Sequence, residues 1–439
     1  MLSRADNEFV TRVSGGAATG EVFRQFWLPV LFSYELEADG APLRVRLLGE
    51  DLTAWRNTDG SVGLIQNACP HRGASMFFGR NEENGLRCVY HGWKFDVEGV
   101  CTDMPNEPAE SNFKHKIKAA AYPCVERGGI VWVYMGALRP LPPLPGLEWL
   151  DLPADQVISS KRVAPTNWLQ GLEGEIDQSH VSFVHSRLNV AEPDGRNRSS
   201  VDVIRAMDRH PHFEVVETDY GVCVGAGREA PDNQKYWRIT QFLMPSHVMT
   251  GPYGPDPIRN WRCWVPIDDE NVFVIGCSFH PTRAFTAEER TRMEDNAGVW
   301  TISKAMRTPA TTQPFGAWYG IPDLTNDFLV DRELQRTKTY AGIPEFWAQD
   351  SAMQVTMGPI YDRTKEHLGT TDLAIIAVRR RMAATAKALR DQGQVPPEVM
   401  NPKCYAVRSD AVLLQPNEQW FEATAERRKA LAGVNPACV

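Results

Sequence analysis

The sequence predicts an α+β protein in which a small N-terminal all-β domain precedes a larger domain, an antiparallel sheet wrapped by helices. Three observations lead to this expectation. Short strand-like runs follow one another from about residue 43, a proline-dense stretch interrupts them at 137–147, and longer strand-like runs mixed with helical patterns come after it. At 439 residues the chain is also too long for one core of ordinary size.

The division into parts follows from these runs. We expect an N-terminal helical segment packing on the body (1–40), the small β domain (41–145) and the larger domain (146–439). Residues 20–30, GEVFRQFWLPV, predict a short amphipathic helix that ends at Pro29. The runs LRVRLLG, LTAWRN and SVGLIQN predict strands of the small domain, with the turn Thr58-Asp59-Gly60 between the last two.

The larger domain shows both kinds of periodicity. HFEVVETDYGVCVG, YWRITQFLM, NWRCWVPI and NVFVIGCSFH predict an antiparallel sheet, the last two runs being joined across 268–270. The clearest helix is TTDLAIIAVRRRMAATAKALRDQG, for which Thr371 is the expected cap and Gly393 the stop. A curved sheet wrapped by helices is large enough to enclose a small ligand.

Composition and charge exclude several classes of protein. A net charge of −8 leaves no basic excess to displace counterions, so nucleic acid is not an expected partner. The start, MLSRADNEFVTR, lacks the apolar core of a signal peptide, and no later run approaches membrane-spanning length. We therefore expect a cytoplasmic protein without a membrane partner. The nine cysteines are scattered, which favours reduced thiols over a disulfide framework.

One stretch combines cysteine and histidine within each of two loops. Cys69 and His71 form a C-x-H motif, and after sixteen intervening residues Cys88 and His91 form a C-x2-H motif. An iron–sulfur cluster in which two His replace two Cys on one iron is a Rieske [2Fe-2S] centre, and these spacings suit it. A structural zinc site usually pairs Cys with Cys and His with His, and a Cys69–Cys88 disulfide has no oxidising compartment to support it, so both alternatives are disfavoured.

A second group of possible metal ligands lies at 171–185, GLEGEIDQSHVSFVH. His180 and His185, with one carboxylate, would make the facial triad of non-heme iron enzymes, which leaves coordination positions open. The five-residue separation of the histidines would make them diverge on a regular helix. We therefore expect an irregularity, either a π-type turn or a helix end near Ser182. Taken alone, the two histidines could equally be ordinary core or surface residues.

The motifs together resemble a known family. Cys-Pro-His-Arg-Gly-Ala at 69–74, Cys-x-Tyr-His-Gly-Trp at 88–93 and the D-x-x-H-x4-H pattern at 177–185 resemble the Rieske ring-hydroxylating oxygenase large (α) subunits. Respiratory Rieske proteins carry an extra cysteine in each loop, and here Ala74 and Tyr90 stand in those places. The segment 346–372 resembles the phthalate dioxygenase-type branch, as do Asn167-Trp168, Glu173-Gly174, Asp331-Arg332 and Gln335.

The resemblance implies site residues. It makes Cys69, His71, Cys88 and His91 the cluster ligands, and His180, His185 and Asp350 the ligands of a mononuclear Fe(II), with Asp362 and Glu345 as alternatives to Asp350. Asp177 becomes the carboxylate that carries electrons between the two centres. In the family the cluster histidine that meets this carboxylate, here His91, comes from a neighbouring subunit, so a homotrimer or a multiple of it is expected.

The resemblance also implies a reaction and partners. We expect this chain to be the terminal oxygenase component of such a system, with a helix-grip-like catalytic domain. We expect it to use O2 to cis-dihydroxylate a phthalate- or benzoate-like aromatic carboxylate. The sequence has no nucleotide-binding fingerprint, so electrons from NAD(P)H must arrive through a separate flavin and iron–sulfur reductase. O-demethylation or monohydroxylation of a substituted aromatic acid is the alternative within the family. A Rieske electron-transfer protein and a ligand-binding redox sensor are the alternatives from other classes.

Substrate residues are the least specified part of the sequence. A carboxylate is best paired by the planar fork of an arginine, and Arg205 and Arg238 lie in the segment expected to line the pocket. Ser182, between the two histidines, is expected to face substrate. Phe315, Trp318 and Tyr319 are expected to supply bulk near the iron, although core packing is the ordinary reading of such aromatic residues.

Overall fold

The computed structural model describes residues 2–108, 110–189, 199–252, 256–294 and 302–431. Its strands are β1 Trp27–Phe32, β2 Leu43–Leu47, β3 Glu50–Arg56, β4 Val62–Gln66, β5 Arg80–Asn81, β6 Leu86–Arg87, β7 Lys94–Phe95, β8 Cys101–Asp103, β9 Cys124–Arg127, β10 Ile130–Tyr134, β11 Val157–Ala164, β12 His212–Glu217, β13 Gly221–Ala230, β14 Gln234–Leu243, β15 His247–Met249, β16 Arg259–Pro266, β17 Val272–Phe279 and β18 Asp410–Leu414. Its α-helices are α1 Arg4–Thr11, α2 Ala18–Arg24, α3 Trp168–Ile176, α4 Ser199–Met207, α5 Ala287–Arg292, α6 Arg332–Thr337, α7 Phe346–Thr356, α8 Leu373–Gln392 and α9 Trp420–Ala423. The predicted α+β class is confirmed.

The first 134 residues contain three antiparallel sheets, in the strand orders β1-β10-β9, β2-β3-β4 and β5-β6-β7-β8. The predicted strands over LRVRLLG, LTAWRN and SVGLIQN are β2, β3 and β4. One cysteine–histidine loop follows β4, and the other joins β6 to β7. A separate apolar cluster, which includes Trp55, Met76, Trp93 and Phe95, packs under both loops.

The predicted helix over 20–30 is wrong in its second half. The helix α2 ends at Arg24, and Trp27–Phe32 form β1, which pairs with β10. All six residues of β1 are buried, so tertiary packing overrides the helical pattern. Proline is tolerated here because β1 is an edge strand and its register shifts between Pro29 and Leu31.

The larger domain is organised around one eight-stranded antiparallel sheet. Its order is β11-β17-β16-β15-β14-β13-β12, and β18 pairs with the part of β14 that β15 does not cover. The run HFEVVETDYGVCVG forms two strands, β12 and β13, which pair as a hairpin. The predicted hairpin across 268–270 is present as β16 and β17.

Helices pack on this sheet and position the segments that carry His180, His185 and Asp350. The helix α3 contacts β14, β15, β16 and β17 and also packs against α7. The long helix α8 ends at Gly393 in the left-handed conformation, as predicted, but its N-cap residue is Asp372 and not Thr371. None of the described helices is both long and apolar enough to cross a bilayer.

Candidate metal centres

The two cysteine–histidine loops have the same backbone hydrogen bonds. In each loop the cysteine N–H donates to the carbonyl five residues later (2.8 Å in both), and the N–H four residues later donates to the cysteine carbonyl (2.9 Å in both). Gly73 and Gly92 occupy the fourth position with φ of +76° and +81°, which favours glycine. The rings of His71 and His91 lie 4.4 Å apart, so the loops bring their ligand groups together.

These loops fit an iron–sulfur cluster. The thiols of Cys69 and Cys88 are buried and not bonded to each other, which excludes the disulfide alternative. Within the described residues the buried Nδ1 of His71 has no hydrogen-bond partner, a rare state that a metal ion would relieve. Burial raises the pKa of Cys69 to about 11, so a metal must displace the proton to obtain a thiolate ligand. Two thiols and two imidazoles are the Rieske ligand set.

The second candidate centre is formed by α7 and the segment after α3. His180, His185 and Asp350 offer ligand atoms that all lie within 4.8 Å of one another. Asp350 Oδ1 lies 3.0 Å from His185 Nε2 and 3.6 Å from His180 Nε2. The structure therefore brings together two imidazoles and one carboxylate that are up to 170 residues apart, a set suited to non-heme iron.

The expected irregularity between the histidines is present. The helix α3 ends at Ile176, earlier than expected, Asp177 is its C-cap residue, and His180–Ser182 form one 3-10 turn. Phe183 follows with φ −123° and ψ −79°, outside helical values. This break turns the chain so that the rings of His180 and His185 lie 5.1 Å apart.

His180 and His185 each have a partner on Nδ1. Asp177 Oδ2 lies 3.1 Å from His180 Nδ1, and Gln349 Oε1 lies 2.7 Å from His185 Nδ1. Such partners fix the ring orientation and leave Nε2 for the metal. The sequence indicates Asp177, but nothing in it assigns a role to Gln349 beyond its position next to Asp350.

The electrostatics suit a cation at this place. Burial opposes ionisation of Asp350, but the charge and hydrogen bond of His185, with help from His180, lower its pKa to about 2. Burial also lowers the pKa of His185. Burial acts the same way on His180, but its hydrogen bond to Asp177, together with the negative charges of Asp177, Asp350 and Glu175, raises the pKa of His180. The pKa of Asp177 is lowered despite burial, so His180 faces an ionised carboxylate.

A cavity of about 860 Å³, including its open mouth, lies beside the triad. Apolar side chains form much of its wall: Ile158, Val181, Trp264, Val274, Phe346 and Trp347. Arg205 and Arg238, which were expected in the pocket, both line it, and so do Arg162 and Arg262, which sequence reasoning misses. Arg262 pairs with Glu175, whereas Arg238 donates to two neutral acceptors, Gln178 Oε1 at 2.6 Å and Gly251 O at 3.2 Å.

Several expected pocket residues lie elsewhere. Ser182 is buried 3.4 Å from an Arg228 nitrogen and does not line the cavity. Trp318 donates to Glu35 in the core, and Phe315 packs on Phe273. Tyr319 lines a different groove. Phe315 and Trp318 therefore have the ordinary packing role, and the N–H of Val163 in β11 donates to the Trp318 carbonyl.

The alternative carboxylates are also placed. Asp362 caps a 3-10 turn by accepting from Thr364, and Glu345 occupies the N-cap position of α7. Of the carboxylates in the described ranges, Asp350 is the one grouped with both histidines.

Comparisons with known proteins agree with this geometry. Residues 26–123 match the Rieske [2Fe-2S] domain, and residues 133–435 match the family described as LigXa C-terminal domain like. The chain is 39% identical over 431 residues to the 3-chlorobenzoate-3,4-dioxygenase oxygenase subunit of Comamonas testosteroni, covering 98% of this chain and 99% of that protein. It is 38% identical to the phthalate 4,5-dioxygenase oxygenase subunit of Pseudomonas putida, covering 87% and 85% of the two chains.

The fold is also found among solved structures. The terminal oxygenase of carbazole 1,9a-dioxygenase from Nocardioides aromaticivorans IC177 superposes with a TM-score of 0.54 at 20% identity, covering 88% of this chain and 98% of that one. This likeness supports the predicted architecture of a Rieske domain followed by a sheet wrapped by helices.

The family matches decide between the open hypotheses. The Rieske match replaces the zinc hypothesis, and a match over 133–435 to a catalytic domain excludes a mere electron carrier or redox sensor. The cofactors are a Rieske [2Fe-2S] cluster and a mononuclear iron, with O2 as co-substrate. The chain belongs to the Rieske non-heme iron ring-hydroxylating oxygenases, as an oxygenase (α) subunit of the phthalate dioxygenase type.

Proposed function

We propose that this oxygenase cis-dihydroxylates an aromatic carboxylate of phthalate or benzoate type. The observation that carries the proposal is an arginine-lined cavity next to the triad of His180, His185 and Asp350. Burial, followed by repulsion from Arg205 and Arg238, lowers the pKa of Arg228 to about 10. Arg205 and Arg238 line the cavity and Arg228 lies behind it, and such a concentration of positive charge favours an anionic ligand. The planar fork of Arg238 would pair with both oxygens of a carboxylate.

In this proposal the metal ligands are the residues named above. Cys69, His71, Cys88 and His91 would hold the cluster, and the triad would hold the iron. The cluster stores and delivers single electrons, and the iron with three protein ligands keeps positions open for dioxygen chemistry. The protein's own contribution is to fix the imidazole orientations through Asp177 and Gln349, to hold the substrate through arginine, and to surround it with apolar side chains.

Asp177 is proposed as the route between the two centres, and the proposed assembly is a homotrimer or a multiple of it. In support, the Asp177 side chain is 21% exposed, so a partner can reach it. Within the described residues no hydrogen bond joins it to His71 or His91 of the same chain. Val89 and Tyr90, beside His91, are 57% and 56% exposed, an apolar tip that suits contact with another subunit.

The electron donor in this proposal is a separate NAD(P)H-dependent reductase with flavin and iron–sulfur centres. The test combines purified oxygenase with such a reductase and a panel of phthalates, benzoates, halobenzoates and methoxybenzoates, and measures O2 uptake and product mass. We expect a product that has gained two oxygens and two hydrogens. Formaldehyde, or a gain of one oxygen, would instead identify demethylation or monooxygenation. O2 uptake that no aromatic acid stimulates would refute the proposed substrate class.

A further inference from the structure

The helix α7 separates two cavities. Phe346, Asp350 and Gln354, spaced four residues apart on one stripe, line the catalytic cavity. Trp347, Ser351 and Val355 form the adjacent stripe and line a second cavity, which we call the outer groove. The outer groove encloses about 1990 Å³ with its open side and is bounded further by the edge of β2, the end of β11 and residues 308–325.

Trp347 lines both cavities. Its indole is held in place by its neighbours: Arg162 lies 5.7 Å from the ring centroid, and a side chain at Gly320 would come within 2.3 Å of the ring. Arg162, which lines the catalytic cavity, donates at 2.9 Å to Ser351, which lines the outer groove. The Trp347 indole and the Arg162–Ser351 hydrogen bond therefore both lie between the two cavities.

The indole nitrogen of Trp347 is one of four buried indole nitrogens that lack an acceptor among the described residues, with those of Trp149, Trp261 and Trp264. In the part of the chain that the structure describes, this nitrogen is buried and has no hydrogen-bond acceptor. Buried donors nearly always have an acceptor, so packing alone would favour phenylalanine or leucine at this place. What distinguishes Trp347 from the other three is its place, since it alone among them lines both cavities.

We propose that Trp347 is a specificity-determining residue that limits the length of the substrate. The inference rests on the proposed function of the cavity as the site of an aromatic acid. With the indole in place, a single-ring acid fits between the arginines and the triad, while a second ring directed along α7 meets Trp347. Without the indole, the catalytic cavity opens into the outer groove, which can take the second ring.

The test measures the dissociation constants of holoprotein for benzoate, phthalate and biphenyl-4-carboxylate by anaerobic calorimetry, in wild type, Trp347→Ala and Trp347→Phe. The quantity compared is the ratio of the biphenyl to the benzoate constant. We expect Trp347→Ala to shift this ratio about tenfold or more in favour of the biphenyl acid, the size of effect that pocket volume usually has on selectivity. Trp347→Phe should fall between wild type and Trp347→Ala.

Val355→Ala is the matched control, because Val355 lies on the same stripe of α7 and lines the outer groove only. It should keep the wild-type ratio. If Trp347→Ala loses its iron, the ratio measured for Trp347→Phe decides. If wild type binds benzoate or phthalate but the ratio is unchanged in the folded Trp347 variants, this inference is overturned and the proposed function stands. Wild type that binds none of the acids would overturn both.

Discussion

Gln349 should control how tightly the mononuclear site binds iron, although it contacts no metal itself. Its Oε1 lies 2.7 Å from His185 Nδ1, and its amide donates at 2.7 Å to Ile343 O, so its orientation is fixed. In Gln349→Leu the His185 side chain, only 4% exposed, keeps a nitrogen without an acceptor and can adopt the wrong tautomer. Loss of such a partner usually weakens metal affinity 10- to 100-fold, or about 1.4–2.7 kcal/mol. Leaving a buried donor unpaired costs about 1–3 kcal/mol, which agrees with this expected loss of binding free energy.

The assay is an anaerobic Fe(II) titration of protein whose mononuclear site has been emptied, in competition with a chelator. Gln354→Leu is the control, because it makes the same chemical change one turn further along α7, where the side chain has no hydrogen bond to either histidine among the described contacts. It should stay within about threefold of wild type, well below the effect of losing a ligand partner. Equal affinities of Gln349→Leu and wild type would refute the orienting role.

Three further outcomes are expected. Asp177→Asn should retain both metals but lose most substrate-dependent O2 uptake, because the charged bond to His180 is lost; unchanged turnover would remove Asp177 from the electron route. Arg238→Lys should weaken benzoate binding about tenfold or more while leaving a neutral aromatic analogue unaffected, since lysine lacks the planar fork; equal losses for both ligands would assign Arg238 a structural role only. Burial lowers the pKa of His247 to about 3, so the unfolded chain, with a pKa near 6.5, takes up a proton first as pH falls. His247 therefore costs about 2 kcal/mol of stability between pH 7 and pH 5, and the loss continues towards pH 3. In His247→Phe the urea concentration at the unfolding midpoint should fall less steeply between pH 7 and pH 5 than in wild type. An equally steep fall in both proteins would contradict this assignment.

The pairing of the two cysteine–histidine loops is readily predicted from the sequence because the candidate ligands within each loop are local. Cys69 and His71 lie two residues apart and Cys88 and His91 three apart, so spacing alone limits the geometry. His180 and His185 are also close in sequence, and their five-residue spacing correctly predicts a break in the helix.

Residues that depend on long-range packing are harder to predict. Asp350 follows His185 by 165 residues, so only a family resemblance singles it out from other carboxylates. Arg162 and Arg262 lie on buried strands, where alternation cannot show that they face a cavity. Phe315 and Trp318 were placed near the iron on residue type, but packing against β1 and β17 determines their position. The domain boundaries at 40 and 145 stay predictions.

The most direct test of the account is the iron content per chain together with the low-temperature EPR spectrum of reduced protein, compared between wild type and Asp350→Ala. The account predicts three iron atoms per chain in wild type and two in Asp350→Ala, with the Rieske signal unchanged between them. Two iron atoms in wild type, or a Rieske signal lost on changing Asp350, would contradict the assignment of two independent metal centres to these residues.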